Sequence, residues 1–331
     1  MAETLLNQIR SLVTVDVDSM DPAVAHRHTK DGKKFVDMTS NQAIVFGNAS
    51  PEAIQHAVDY AKSKGDATPQ RVLDVLTVQL AMAVLPYLTG NVHAQTTPRV
   101  GYSYEGTLTE ARRIIATFEE LGVPKSRVCI KIPVTAEGAL ACKTLQEEGI
   151  QTLGTCVFGL EQALAAGAAG CLYLAPYFNE LQVHFVEGTW KAYEVGIKNQ
   201  EHPMIDVVRS IVAAYKKLGI KTFVMPASIV TALEVSSLTA LKVDHLTLSG
   251  GVLDELATLP PVALDRYADA LERELTEDEL KILKNDYLAD GGKLLKEALI
   301  SNAETARKLG YAIDKFAECE EKTIEQIKKF L

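Results

Sequence analysis

Short runs rich in β-branched residues alternate with longer amphipathic stretches along most of the chain. The runs at 13–18, 35–39, 99–104, 128–134, 151–158, 171–175, 222–227 and 244–249 are eight predicted strands. Helix punctuation separates them. Ser50-Pro51 and Thr68-Pro69 each pair an N-cap residue with proline at the first helical position, and Thr107 with Glu110 spells a capping box. Gly122, Gly149 and Gly219 close three helical stretches just before the next strand. Repeated strand–helix units predict a parallel sheet with helical crossovers, and eight of them predict closure into a (β/α)8 TIM barrel. The segment DSMDPAVAHRH after the first strand carries no Gly-rich phosphate loop, which argues against a dinucleotide fold or a P-loop. Past Pro260-Pro261 the pattern turns wholly helical. It starts from a capping box at Thr276 and Glu279, runs to Leu331 and is broken at Asp290-Gly291-Gly292. The expected organisation is a single domain, with the barrel over about 10–258 and additional C-terminal helices over about 260–331 packed on it.

Composition narrows the partners. The 331 residues are 47% apolar, enough for a full core, and the formal net charge of −9 provides no cationic surface for nucleic acid. No apolar stretch approaches membrane-spanning length and the start of the chain lacks a leader pattern, so a soluble cytoplasmic protein with no membrane partner is expected. Cys129, Cys142, Cys156, Cys171 and Cys319 are scattered without metal-ligand spacing. They read as small hydrophobes, and no metal site is expected.

Polar residues that interrupt apolar strands carry the chemistry. In Val128-Cys129-Ile130-Lys131-Ile132-Pro133-Val134, alternation puts Ile130 and Ile132 on one face and Lys131 on the other. If the branched face meets the helices, Lys131 points into the barrel, where burial lowers its pKa and leaves a nucleophilic amine fit for Schiff-base chemistry. A structural ion pair, or a lysine snorkelling out at the strand end, is the competing reading. Asp16 and Asp18 share one face of the first strand, and Asp37, Thr39 and Asn41 one face of the second. Both sets are expected towards the C-terminal strand ends, where a carboxylate can shuttle protons or simply cap a loop.

The stretches VDVDSMDP, DMTSNQAIVFGNASPEAIQ, SRVCIKIPVTAEGALACKTLQEEGIQTLGTCVFGLEQALAAGAAGCLYLAPYF and KLGIKTFVMPAS resemble consecutive landmarks of transaldolases, in order along nearly the whole chain. The resemblance implies a (β/α)8 barrel that transfers a dihydroxyacetone unit through a lysine Schiff base. It also implies no metal or organic cofactor, a small-molecule carbonyl substrate and a homodimer. It implies Lys131 as the imine lysine, Asp18 as the acid/base, Asn41 as a hydroxyl-binding residue, Thr155 in the pocket, and Ser228 in the phosphate site, while Thr39, on the same face as Asn41, is a further candidate for binding substrate.

Departures from the family pattern are equally specific. The catalytic glutamate of a V-S-T-E motif is matched to Ser103, with Glu105, two residues on and facing the same way, as the candidate replacement. Leu153 stands at a pocket asparagine and Ala175 at a serine. Glu180 and Val230 stand at the two arginines that hold the substrate phosphate, and no arginine occurs between Arg127 and Arg209. Each arginine–phosphate contact contributes roughly 1.5–3 kcal/mol, so losing two weakens phosphate binding by about 10² to 10⁴. The expected activity is therefore aldol, retro-aldol or related imine chemistry on an unphosphorylated carbonyl compound. An ordinary sugar-phosphate transaldolase anchored by Lys191 or helix-start amides is the runner-up, and a silent binding barrel the third reading. His184 and His202 read as solvated or capping residues, Trp190 and Tyr193 as packing on one helical face, and Tyr177 and Phe178 as rim or core residues.

Overall fold

The computed structural model describes residues 4–29, 32–194, 201–265 and 273–331. Its regular strands are β1 (Thr14–Val17), β2 (Val92–Gln95), β3 (Val128–Pro133), β4 (Gln151–Val157), β5 (Tyr173–Pro176), β6 (Phe223–Val224) and β7 (His245–Leu248), all parallel where paired. β2 to β6 lie side by side in chain order, and β1 pairs with β7. The segment around Phe35 and Met38 supplies the eighth position through isolated bridges, with Met38 between Val17 and Val92. On the other side, Asp244 N donates to Val224 O (3.1 Å), joining β6 to β7. These links complete the ring of the TIM barrel.

One predicted strand is corrected. Residues 99–104 form no strand, and the barrel strand before β3 is Val92–Gln95. Its His93 and Gln95 point inward and break the apolar alternation that marks the other strands. Pro98 instead opens a 3-10 turn, Pro98–Val100, and Ser103 caps the next helix.

The helices follow their local signals. α1 (Leu5–Arg10) and α2 (Pro22–Arg27) flank β1, and α3 (Gln42–Asn48) starts at Asn41. α4 (Pro51–Ser63) and α5 (Pro69–Val84) begin where the Ser50 and Thr68 hydroxyls accept from Ala53 N (3.1 Å) and Arg71 N (3.4 Å). α6 (Tyr104–Glu120) starts three residues before the expected capping box, which leaves Thr107 buried inside it, donating to Val100 O (2.9 Å). α7 (Ala136–Glu147), α8 (Leu160–Ala168), α9 (Pro203–Leu218), α10 (Ala232–Ala240) and α11 (Gly250–Thr258) follow β3 to β7 in turn. Gly219 ends α9 with φ +67°, the left-handed conformation that lacks a penalty only for glycine.

At the C-terminus, α12 (Glu277–Ile282) has both halves of its capping box, Glu279 N to Thr276 Oγ1 (3.2 Å) and Thr276 N to Glu279 Oε2 (2.7 Å). α13 (Ala289–Ser301) opens through three left-handed residues, Asp290, Gly291 and Gly292. α14 (Ala303–Lys328) then crosses α3 and α5 at the mouth of the barrel. Ile130 and Ile132 are fully buried between β3 and the helices, so the opposite face of β3 turns into the barrel.

Candidate active site

Lys131 is 2% exposed and lines a cavity of about 260 Å³ at the C-terminal ends of the strands. No ion pair reaches it among the described residues, so the structural-pair reading finds no support. Its ammonium faces the Tyr177 ring, with Nζ 5.8 Å from the centroid. Burial lowers the Lys131 pKa from its ordinary value, and the Asp18 carboxylate partly opposes that shift.

Asp18 lines the same cavity and accepts from Thr39 Oγ1 at 2.6 Å. Thr39 and Thr247 are also in hydroxyl contact. A hydroxyl donates one proton, so Thr247 donates to Thr39 and Thr39 to Asp18, which fixes one carboxylate oxygen and leaves the other for the cavity. Asn41 reaches the cavity too, but its Oδ1 is committed to capping α3 through Ala43 N (2.9 Å) and Ile44 N (3.1 Å), leaving its amide nitrogen as the donor.

β4 carries a bulge beside Thr155, which does not line the cavity. The register against β5 shifts between Gly154 and Val157, and Cys156 adopts φ +57°. Thr155 is fully buried and its Oγ1 lacks a hydrogen bond among the described residues, with the Tyr177 phenol as its polar neighbour. Burial pushes the Cys156 thiol up to about 11, so the thiol beside Lys131 stays protonated and inert.

Several expected residues lie elsewhere. Glu105 is exposed in the first turn of α6, and Ser103 is spent capping that helix through Gly106 N (3.1 Å). Neither lines the cavity, because both belong to the misplaced strand. The strand in that place reads Val92-His93-Ala94-Gln95, and Gln95 pairs in register with Lys131. Gln95 is 6% exposed, donates to Gln42 Oε1 (2.7 Å) and leaves its own Oε1 without a partner among the described residues. Leu153 and Ala175 are buried on β4 and β5. Glu180 turns to a neighbouring cleft, where Arg307 of α14 pairs with it at 2.8 Å, and Val230 is held through its backbone N by Glu234 Oε2 (2.7 Å). Lys191 lines that second cleft and not the Lys131 cavity.

Asp16 and Asp37, expected near the rim, sit lower in the barrel. Asp16 Oδ2 meets His245 Nδ1 at 2.7 Å, Asp37 Oδ2 meets His93 Nε2 at 2.8 Å, and Asp37 N donates to Asp16 Oδ1 at 2.8 Å. Buried polar groups at that depth need mutual partners, which the two carboxylates and two imidazoles supply.

Tyr177 lines the cavity, one of the two places expected for it, whereas His184 and Phe316 were not expected there. His184 is exposed, as expected, and its Nε2 lies 2.8 Å from Ser228 Oγ. Ser228 holds a left-handed backbone, φ +58°, which costs a non-glycine residue on the order of 1 kcal/mol and recurs at functional sites. His202 does cap α9 as expected, through Met204 N (3.2 Å), and stacks on Phe178 at 4.2 Å. Trp190 and Tyr193 are not on a helix; Trp190 Nε1 donates to Glu234 at 3.0 Å.

The cavity thus brings together an interior lysine on the third regular strand and an aspartate at the end of the first. Residues 14–313 match the family model described as Transaldolase/Fructose-6-phosphate aldolase. The chain belongs to this family. It is 30% identical over 320 residues to a transaldolase from Agrobacterium fabrum, covering 95% of this chain and 93% of that protein. It is 34% identical over 259 residues to one from Rhizobium rhizogenes (76% and 77%), and 28% over 323 residues to one from Shewanella sediminis (89% and 98%). Inosine 5' monophosphate dehydrogenase from Legionella pneumophila superposes over 54% of this chain and 49% of its own at TM-score 0.34 and 12% identity, too remote to bear on either fold or function. The matched residues include every lining residue of the cavity except Phe316.

Proposed function

We infer that this chain is a lysine Schiff-base aldolase acting on an unphosphorylated carbonyl compound. The observation that carries the reading is the cavity wall: among the described residues lining it, Lys131 is the sole lysine or arginine. The other polar lining residues, among them Asn41, Ser228, Thr247 and Ser249, carry no positive charge, Leu181, Phe185, Ile229 and Phe316 add apolar surface, and Asp18 disfavours a dianion. The residues at the two arginine positions, Glu180 and Val230, do not reach into this space.

The chemistry follows from the groups present. Lys131 loses a proton to Asp18 and attacks the carbonyl carbon through Nζ, forming a carbinolamine. Asp18 returns the proton to the carbinolamine oxygen, which leaves as water and gives the iminium. In the cleavage direction Asp18 then takes the proton of the β-hydroxyl, the carbon–carbon bond breaks, and its electron pair moves to the iminium to give an enamine and a free aldehyde. The orphan Thr155 hydroxyl and the neutral Tyr177 phenol, whose pKa burial raises, offer sites for the water released and later consumed.

The test is a direct comparison of kcat/KM for cleavage of fructose and of fructose 6-phosphate. The expected result is no advantage for the phosphate ester. A preference of about 10²-fold or more for fructose 6-phosphate, with transfer to erythrose 4-phosphate, contradicts the unphosphorylated-substrate reading and returns the chain to ordinary transaldolase chemistry.

A further inference from the structure

α14 borders two spaces with one face. Its Phe316 closes one side of the Lys131 cavity, and four residues on, Glu320 enters a separate cavity of about 30 Å³ shared with α5 and α6. Residues four apart on a helix lie one above the other, so the two side chains move together. Glu320 is 6% exposed, and the Thr97 hydroxyl donates to its Oε1. The groups that face it are acidic on balance. Asp74 of α5 and Glu110 of α6 line the same cavity and share one cation, Arg113, which lies 2.7 Å from Asp74 Oδ2 and 2.6 Å from Glu110 Oε1. Arg99, on the 3-10 turn, pairs with the neighbouring Glu321, and Arg71 of α5 turns to Glu120. Ser40, Asn41 and Gln42, from the start of α3, complete that wall without charge. Gln95 lines the cavity too, and its buried Oε1 has no partner among the described residues. That oxygen is an acceptor, which suits a protonated carboxyl and repels an ionised one.

We propose that α14 is a pH-sensitive cover on the Lys131 cavity, held down while Glu320 is protonated and loosened when Glu320 ionises against Asp74 and Glu110. Its effect on turnover rests on the aldolase reading above; the movement of the helix does not. Desolvation raises the pKa of Glu320, and the Glu110 and Asp74 charges add to the rise, with Thr97 and Arg99 opposing. Lifted into water, the same carboxyl returns to its ordinary value of 4.5. Docking is therefore strongest below 4.5, weakens as the pH rises from there through the raised value, and levels off beyond it, where docked and lifted forms are both ionised. Desolvation raises Asp74 and Glu110 as well, so uncovering them adds to the same trend.

Hydrogen–deuterium exchange of the full chain from pH 5 to pH 9, corrected for the intrinsic pH dependence of exchange, reads the cover directly. Peptides from α14 are expected to lose protection as the pH rises, while peptides from β3 and β4 keep theirs. In Glu320→Gln, which can keep the hydrogen bond to Thr97 without a charge, α14 is expected to hold its acid-side protection across the range. In Glu110→Gln, which removes one facing carboxylate, the loss is expected to be smaller than in the unmodified protein, so either variant is decisive if the other fails to fold. Protection of α14 that is flat with pH in the unmodified protein, or a loss undiminished in both variants, overturns the proposal. The half-saturating concentration of hydroxyacetone in cyanoborohydride trapping tests the link to the cavity, because Lys131 titrates alike in the unmodified protein and in Glu320→Gln. The two values are expected to agree at pH 5 and to diverge at pH 9, and equal values at pH 9 with α14 protection lost overturn the link. Failure to trap hydroxyacetone in either protein overturns the aldolase reading and leaves the exchange result to decide the cover.

Discussion

Lys131 illustrates how burial is turned to chemical use. An ammonium inside the barrel is disfavoured, its pKa falls, and the neutral amine needed for attack is populated closer to neutral pH. The Asp18 carboxylate works against that shift. Asp18→Asn should therefore have two effects on imine formation followed by cyanoborohydride trapping. The maximal rate should drop by about 10² to 10⁴ as proton relay is lost. The acid limb of the pH profile should move to lower pH, because without the carboxylate Lys131 is more easily neutral. A limb that stays in place shows that Asp18 and Lys131 do not interact. Both residues were legible in the sequence, since a charged residue alternating with Ile130 and Ile132, or with Val15 and Val17, has one inward direction. Tyr177 was legible only as one of two alternatives, rim or core, and the place of His184 in the cavity was not legible, since it depends on loops that meet only after folding. Gln95 was missed because its strand reads as polar.

At the scale of elements, six of the eight expected strands formed as regular strands, 35–39 made only isolated bridges, 99–104 formed none, and Val92–Gln95 did not announce itself. Capping signals located α4, α5 and α12, whereas the apparent box at Thr107 lost to Ser103, which offers its hydroxyl one turn earlier. No local pattern reveals the β4 bulge, because Cys156 at φ +57° is a compromise imposed by its neighbours. The amphipathic pattern of α14 shows a helix but not its destination. Its Phe316 is fully buried and closes one side of the cavity. Phe316→Ala should cost about 3–5 kcal/mol of stability by urea unfolding and widen the mouth, raising KM more than it lowers kcat. A variant as stable as the parent would mean that α14 is not held on the barrel by this side chain.

For the whole molecule, the repeat of strand and helix made the TIM barrel legible, while the depth of each polar residue within it was not. Asp16 and Asp18 share a face, yet one is committed to His245 in the floor and the other opens to the cavity. Their difference is set by the position along the barrel axis, which alternation does not encode. Among the described residues lining the cavity, Lys131 is the sole lysine or arginine, and the proposed chemistry turns on its reactivity. The most direct measurement is cyanoborohydride reduction of the intact protein with hydroxyacetone, followed by peptide mass spectrometry. One adduct on Lys131 is expected, absent from a folded Lys131→Met variant. Labelling elsewhere, or turnover undiminished in Lys131→Met, contradicts the imine mechanism.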